Sequence, residues 1–466
     1  MKKISFLLFI AITLSCSKEL DIHPATSIDA GLAKQSIDLL VTGAYSLIGS
    51  GPGASSGGLE GALYSTDLLL NADLLASENY MQWRGTFNQY SEISNKAMSP
   101  ANASVGRMWR KGYAAINLAN TILANLSNAK EGDRNTFKGN ALFIRGIVHF
   151  ELLRFWMEPS TNLGIPLLTE APTEDFAQIQ YPARATIDAC FTSIIADLTE
   201  AQTLLPAADD VYANKITVAA FLARVYLTKG DYNNALSNAD AVISSGNYSL
   251  TTSVEEAFNL SSSESIFVIQ QTVANNAGTA NDGLTTFYAC DPSVPGSASR
   301  GDVGINNQFI NLYEPADKRL TLLIYNGTCN KASVTSAKWK DPYANISVIR
   351  LSEMYLIRAE CNARLSSAVG DTPVNDVNAI RSKAGASAYG AVTLNDVLLE
   401  RDLELAFEGQ RIHDYKRTAK QIAGVDNQGN PITIKYTDPQ FIFPVFPVPQ
   451  TEINTNKNLA QNSYYH

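Results

Sequence analysis

Glu404 and Glu408 lie four residues apart beside Arg401 and Arg411, and a carboxylate pair on one helix face could in principle support glycoside hydrolysis. The arginines argue against it. Alternating charges at helical spacing make ion pairs, and guanidinium groups hold carboxylates ionised instead of raising one into a general acid. The pair reads as structural, and no enzyme activity is expected. His149 stands two residues from Glu151 and lacks the i, i+4 partner of a helical zinc site, so it reads as a structural histidine. Asp282, Asp291 and Asp302 are loop carboxylates that could hold calcium, but no ligand spacing directs them. With neither a phosphate-cradling glycine motif nor a nucleophile elbow, no cofactor is expected.

The thiols divide by context. Lys2 and Lys3 precede an apolar run, Ile4 to Leu14, which ends at Ser15 and Cys16. Eleven residues at about 1.5 Å each cover roughly 16 Å, far short of the roughly 30 Å hydrocarbon core, so the run reads as a signal peptide and not a span. Thr13-Leu14-Ser15-Cys16 resembles a bacterial lipoprotein box, with Thr13 in place of the usual leucine, and assigns Cys16 as the lipidation site. Cys190 and Cys361 sit in helical patterns and are expected to be buried free thiols. Cys290 and Cys329 lie in loop-like sequence of an exported chain, which permits a disulfide between them without requiring one.

The elements that would position these residues are mostly helical. In a chain of 466 residues with formal charge −9 there is ample material for a core and no basic field to hold nucleic acid. The pattern predicts helices over Leu32–Ile48, with Leu39, Leu40, Gly43 and Leu47 on one stripe, then over Val105–Leu126, Phe137–Met157 and Ala185–Leu205. Trp109 and Trp156 fall on helical stripes and are expected in the core. Thr217 to Ser245 reads as a helical hairpin of the tetratricopeptide type, turning at Lys229-Gly230-Asp231-Tyr232, and one such hairpin needs others to cover its apolar face. Helices are expected again over Ser352–Arg364, Val374–Lys383 and Leu394–Lys416. Between them, 58–100 and 247–345 read as loop-rich, with one β-like run at Ser265–Val273. Phe443 to Pro449 is forced into extended geometry by proline.

At this level the sequence matches a known family. Glu400-Arg401-Asp402-Leu403-Glu404-Leu405-Ala406-Phe407-Glu408-Gly409-Gln410-Arg411 through Asp414 resembles the most specific helix motif of the SusD/RagB lipoproteins. Ile349 to Glu360, Asn378 to Arg381, Arg145 to Arg154, Gly164 to Leu167 and Phe446 to Asn462 are similar to further motifs of that family, in the same order; His413 stands where an aromatic is usual. The resemblance implies a mainly α fold, an α-α superhelix of about four tetratricopeptide-like hairpins with long irregular loops and minor β. It divides the chain into a signal peptide at 1–15, a lipidated leader at 16–31 and a single domain at 32–466, whose helical and repeat part reaches about 250 and whose loop-rich and C-terminal helical part follows from about 251.

The resemblance also implies a surface-exposed outer-membrane lipoprotein that binds a nutrient and delivers it, without catalysis, to a SusC-like TonB-dependent transporter. Capture of a neutral ligand needs flat apolar faces with amides, carboxylates or guanidinium groups nearby. Asp73, Asn79, Tyr80, Trp83 and Arg84 form one loop cluster of that composition, and Trp339 with Tyr343 forms a second. Set against this, either indole could simply pack its loop onto the helical body. An oligosaccharide is the expected ligand. A peptide, an adaptor role for the repeats with no small ligand, and a glycoside hydrolase are the alternatives.

Overall fold

The computed structural model describes residues 36–49, 61, 63–78, 80–173, 179–209, 211–258, 262–273, 276–277, 282–291, 299–325, 334–425, 431–435 and 445–465. The expected signal peptide at 1–15, the lipidation site Cys16 and the expected leader at 16–31 lie outside these residues. The fold is mainly helical. Its frame consists of α1 (Ile37–Gly49), α2 (Asp67–Leu75), α3 (Asn88–Ser94), α4 (Ala103–Ala124), α5 (Arg134–Trp156), α6 (Ile187–Leu204), α7 (Lys215–Lys229), α8 (Tyr232–Ser244), α9 (Leu351–Leu365), α10 (Pro373–Ala384), α11 (Leu394–Glu404) and α12 (Arg411–Arg417).

Local chemistry starts and stops these helices. Asn102 accepts from the Ser104 and Val105 amides at the head of α4, and Asn214 does the same for Ile216 and Thr217 at the head of α7. Thr393 and Asp396 form a reciprocal capping box on α11. In the expected hairpin, α7 ends at Gly230 in the left-handed region, φ +82°, and Asp231 immediately caps α8. The turn falls where the sequence places it.

Consecutive helices pack side by side from α4 through α9, and α1 lies against α4 and α5. Buried arginines staple them. Arg145 of α5 holds Asp197 of α6 at 2.6 Å and Asn120 of α4 at 2.8 Å. Arg224 of α7 reaches Glu353 of α9 at 2.6 Å, and Arg358 of α9 binds both Asp240 of α8 and Asp376 of α10. Such charges are tolerated inside only because each is paired. Close approach is helped by small residues: a Cβ at Gly146 would lie 3.0 Å from Leu198 of α6. Trp109 and Trp156 pack in the core, edge to face at 5.2 Å, as expected. The chain end returns to α5, with the Phe446 amide donating to Phe155 O and Trp156 Nε1 to Pro447 O.

The β structure is minor and antiparallel. β1 (Met81–Trp83) pairs β3 (Val303–Ile305), β2 (Ser265–Ile269) pairs β6 (Ile346–Arg350), β4 (Leu323–Tyr325) pairs β5 (Val334–Ser336), and β7 (Gln421–Val425) pairs β8 (Pro431–Lys435).

Three expectations are corrected. On the stripe read for α1, Leu40, Gly43 and Leu47 are half-buried, with both leucines against the core, but Leu39 is exposed; the fully buried face is Ile37, Val41, Ala44 and Ile48, one residue round toward α4 and α5. The described residues of 58–100 hold more helix than their weak periodicity suggests: α2 is buried on every side, which erases an amphipathic pattern. The single helix expected over 394–416 is two, split at 405–410, where Phe407 (φ +64°) and Gly409 (φ +71°) leave helical geometry. A Cβ at Gly409 would sit 2.7 Å from Leu69 Cα, so the break lets this segment lie directly on α2.

The split segment anchors an ionic core. Glu404 binds Arg350 (2.7 Å), Lys383 (2.9 Å) and Arg319 (3.2 Å); Glu408 binds Arg350 and Lys338, both at 2.8 Å; Glu264, Glu400 and Asp317 join the same cluster.

Candidate ligand-binding face

β1 alternates with period two: Met81 and Trp83 point inward, and Gln82 and Arg84 outward. Its pairing with β3 continues through the Arg84 amide, which donates to Asp302 O at 2.7 Å. The turn that follows closes over Trp83, since a Cβ at Gly85 would lie 2.3 Å from the indole Cζ2. Gln82, Arg84, Thr86 and Asn88 are exposed in a row, and the first three make no side-chain hydrogen bond or ion pair. Half-buried Phe87 lies beneath the Arg300 guanidinium at 4.9 Å, and Arg300 in turn pairs with Asp302. These groups offer donors, an amide and a partly open ring, the combination that recognises hydroxyl-rich neutral ligands.

The structure assigns most of the aromatics nominated by sequence a different task. Tyr80, Trp83 and Trp339 are 0%, 8% and 5% exposed, so no ring face of the three lies open to a ligand. Trp83 packs against Tyr90 and Phe287. Tyr80 stacks on Phe407 with centroids 5.1 Å apart; its hydroxyl accepts the Phe407 amide hydrogen, while the Trp339 indole donates to Phe407 O at 2.9 Å. The two rings thus clamp the left-handed Phe407 peptide. Sequence could not foresee this, because the element that needs clamping reads as continuous helix.

Asp73 is also buried. Its carboxylate accepts from Tyr288 Oη at 2.7 Å, and burial pushes it up to about 7, against the lowering influence of Tyr288, the Gly409 amide and Arg411. Asn79 lies outside the described residues. Of the nominated set, Arg84 is exposed and Tyr343 half-buried, its amide held by Asp341 at 2.8 Å. The two loops flank one short helix, Leu284–Tyr288: Phe287 meets Trp83, and Leu284 and Thr285 share a small cavity with Trp339, Asp341 and Asn345. Phe87, Phe287 and Arg300 are the contributors that sequence reasoning missed; the Arg300–Asp302 spacing is the one local signal that could have drawn attention to them.

The groups weighed for chemistry are committed elsewhere. Lys383, Arg350, Arg319 and Lys338 overcome burial and hold Glu404 well below the usual carboxylate range. The expected ionised state is therefore present, although its partners are not Arg401, which binds Glu353 and Asp414, or Arg411, which binds Asp402. His149 is buried, and desolvation lowers it to about 3, leaving a neutral ring. Asp282 is taken by Arg107 at 2.7 Å and Asp302 by Arg300. Cys190 and Cys361 are buried free thiols as expected, and Cys290 is disulfide-bonded; Cys329 lies outside the described residues.

A stack of helical hairpins joined by long loops and minor antiparallel β structure is the class that this fold defines. Comparison with known proteins narrows it. A family profile described as "Starch-binding associating with outer membrane" matches residues 61–227, and a profile described as "SusD family" matches 321–465. A SusD superfamily protein from Bacteroides thetaiotaomicron is 26% identical, with TM-score 0.78 over 92% of this chain and 99% of that one. A candidate sugar binding protein from Bacteroides vulgatus is 27% identical, with TM-score 0.77 over 95% and 100%. A SusD-like protein of Formosa agariphila is 24% identical across 99% of both chains. The chain belongs to the SusD/RagB family. Among the described residues no helix is long and apolar enough to cross a membrane.

Proposed function

We propose that this chain is a non-catalytic, lipid-anchored protein of the outer-membrane surface that captures an oligosaccharide and passes it to a TonB-dependent transporter. The observation that carries the reading is the uncommitted row Gln82, Arg84 and Thr86, set beside Phe87 and Arg300 on the β1–β3 pair. Exposed donors beside a ring suit sugar hydroxyls and their C–H faces. Family membership and the sugar-binding description of one structural neighbour support the ligand class. The basic start, short apolar run and Cys16 support the anchor.

Titration calorimetry of the mature chain against a glycan panel and a peptide panel tests the reading. Binding to a glycan, weakened by Arg84→Ala with no change in melting temperature, supports it. Binding to peptides alone transfers the site to a peptide ligand, silence with both panels supports an adaptor, and release of shortened products indicates a hydrolase.

A further inference from the structure

A second groove lies away from this face, between α4, the extended residues 166–168 and 180–182, and the C-terminal helix Gln450–Thr455. It has a volume of about 370 Å³, within the range of small-molecule sites. Its walls are fixed: Tyr113 Oη donates to Pro166 O at 2.8 Å, Asn456 Nδ2 to Pro182 O at 2.8 Å, and Asn458 Nδ2 to Tyr181 O at 2.7 Å. Tyr181 is held by its backbone while the residue stays 44% exposed. Its side chain has only two χ angles to order, so it presents a ring face to whatever enters at low entropic cost.

Three polar side chains line the groove without a partner. The Arg110 guanidinium, the Asn117 amide and the Glu452 carboxylate make no hydrogen bond or ion pair. By contrast, the larger cleft of about 430 Å³ beside α11 and α12 is lined by charges already in use: Asp402 binds Arg411, Asp414 binds Arg401, and Lys420 donates to Tyr415. Arg110 and Glu452 carry opposite charges, so an ionic ligand attracted by one is repelled by the other. A neutral polyol satisfies both, with the amide of Asn117 accepting and donating to hydroxyls.

We infer that this groove is a second oligosaccharide-binding site, in which a sugar ring stacks on Tyr181 and its hydroxyls bond to Arg110, Asn117 and Glu452. The inference rests on the glycan-binding reading of the protein, but shares no residue with the Arg84 face. Maltoheptaose, laminarihexaose and xylohexaose serve as probes in titration calorimetry of the mature protein, with Arg84→Ala, Tyr181→Ala and Asn117→Ala variants. All three positions are outside the packed core, and circular dichroism checks that each variant is folded.

For a glycan that binds the wild type, Tyr181→Ala and Asn117→Ala each weaken one class of site by about tenfold and leave the other class intact. Arg84→Ala has the complementary effect. Unchanged binding in both groove variants, with a glycan still bound by the wild type, overturns the second site and leaves the first. Failure of every glycan to bind the wild type overturns both.

Discussion

Asp73 offers a direct test of whether the sequence-nominated cluster belongs to the frame or to the binding face. Burial pushes this carboxyl from 3.8 to about 7, so the native state keeps a proton that the unfolded chain releases. The sign follows. The stability that this carboxyl contributes falls as pH rises from about 4 to about 7, and the loss is complete above the folded value, where it amounts to about 4 kcal/mol. Asp73→Asn removes the titration while keeping an oxygen to accept from Tyr288, 2.7 Å away. The variant therefore gains on the wild type across that window, by about 2.5 kcal/mol between pH 5 and pH 8. Part of the absolute gain is offset if the new amide faces the Gly409 N–H, but that contribution does not depend on pH. Urea unfolding of both proteins at several pH values, followed by fluorescence, measures the difference. A gap that stays constant from pH 5 to pH 8 would refute the buried-proton argument, and a loss of glycan affinity in Asp73→Asn would return Asp73 to the site.

Other consequences concern the frame and the anchor. Glu404→Gln leaves Arg350, Lys383 and Arg319 short of a buried counter-charge and should cost about 3–5 kcal/mol in urea unfolding at neutral pH. Gly409→Ala forces a left-handed residue against the α2 backbone, 2.7 Å away, and should destabilise by at least about 1–3 kcal/mol; an unchanged unfolding midpoint would show that the contact can relax. Cys16→Ala should leave the membrane fraction on cell fractionation; a variant that stays bound and uncleaved contradicts the lipid anchor.

The helices were legible because their signals are local. Asn102, Asn214, Gly230 and Asp231 mark boundaries through contacts within four residues, and the apolar steps of α4 and α8 expose their period directly. The break at 405–410 was not legible. Its cause is tertiary: α2 presses on Gly409, and Tyr80 and Trp339, distant in sequence, hold Phe407. The same non-local demand explains why aromatics in loop-like sequence proved to be clamps. An aromatic in a loop has the same composition whether it faces solvent or fastens a kink. Charges behaved alike: the pairing of Glu404 was legible as a principle, while its partners Arg319, Arg350 and Lys383 come from three other segments.

The central claim is that recognition resides in exposed loop groups on a frame whose own charges and rings are spent on packing. Its most direct measurement is a glycan titration of wild type, Arg84→Ala and Trp83→Ala, with melting temperatures taken in parallel. Arg84→Ala should lose affinity at an unchanged melting temperature, and Trp83→Ala should lower the melting temperature through loss of its buried indole. Arg84→Ala binding every glycan as the wild type does, with Trp83→Ala abolishing binding while melting normally, would contradict the claim.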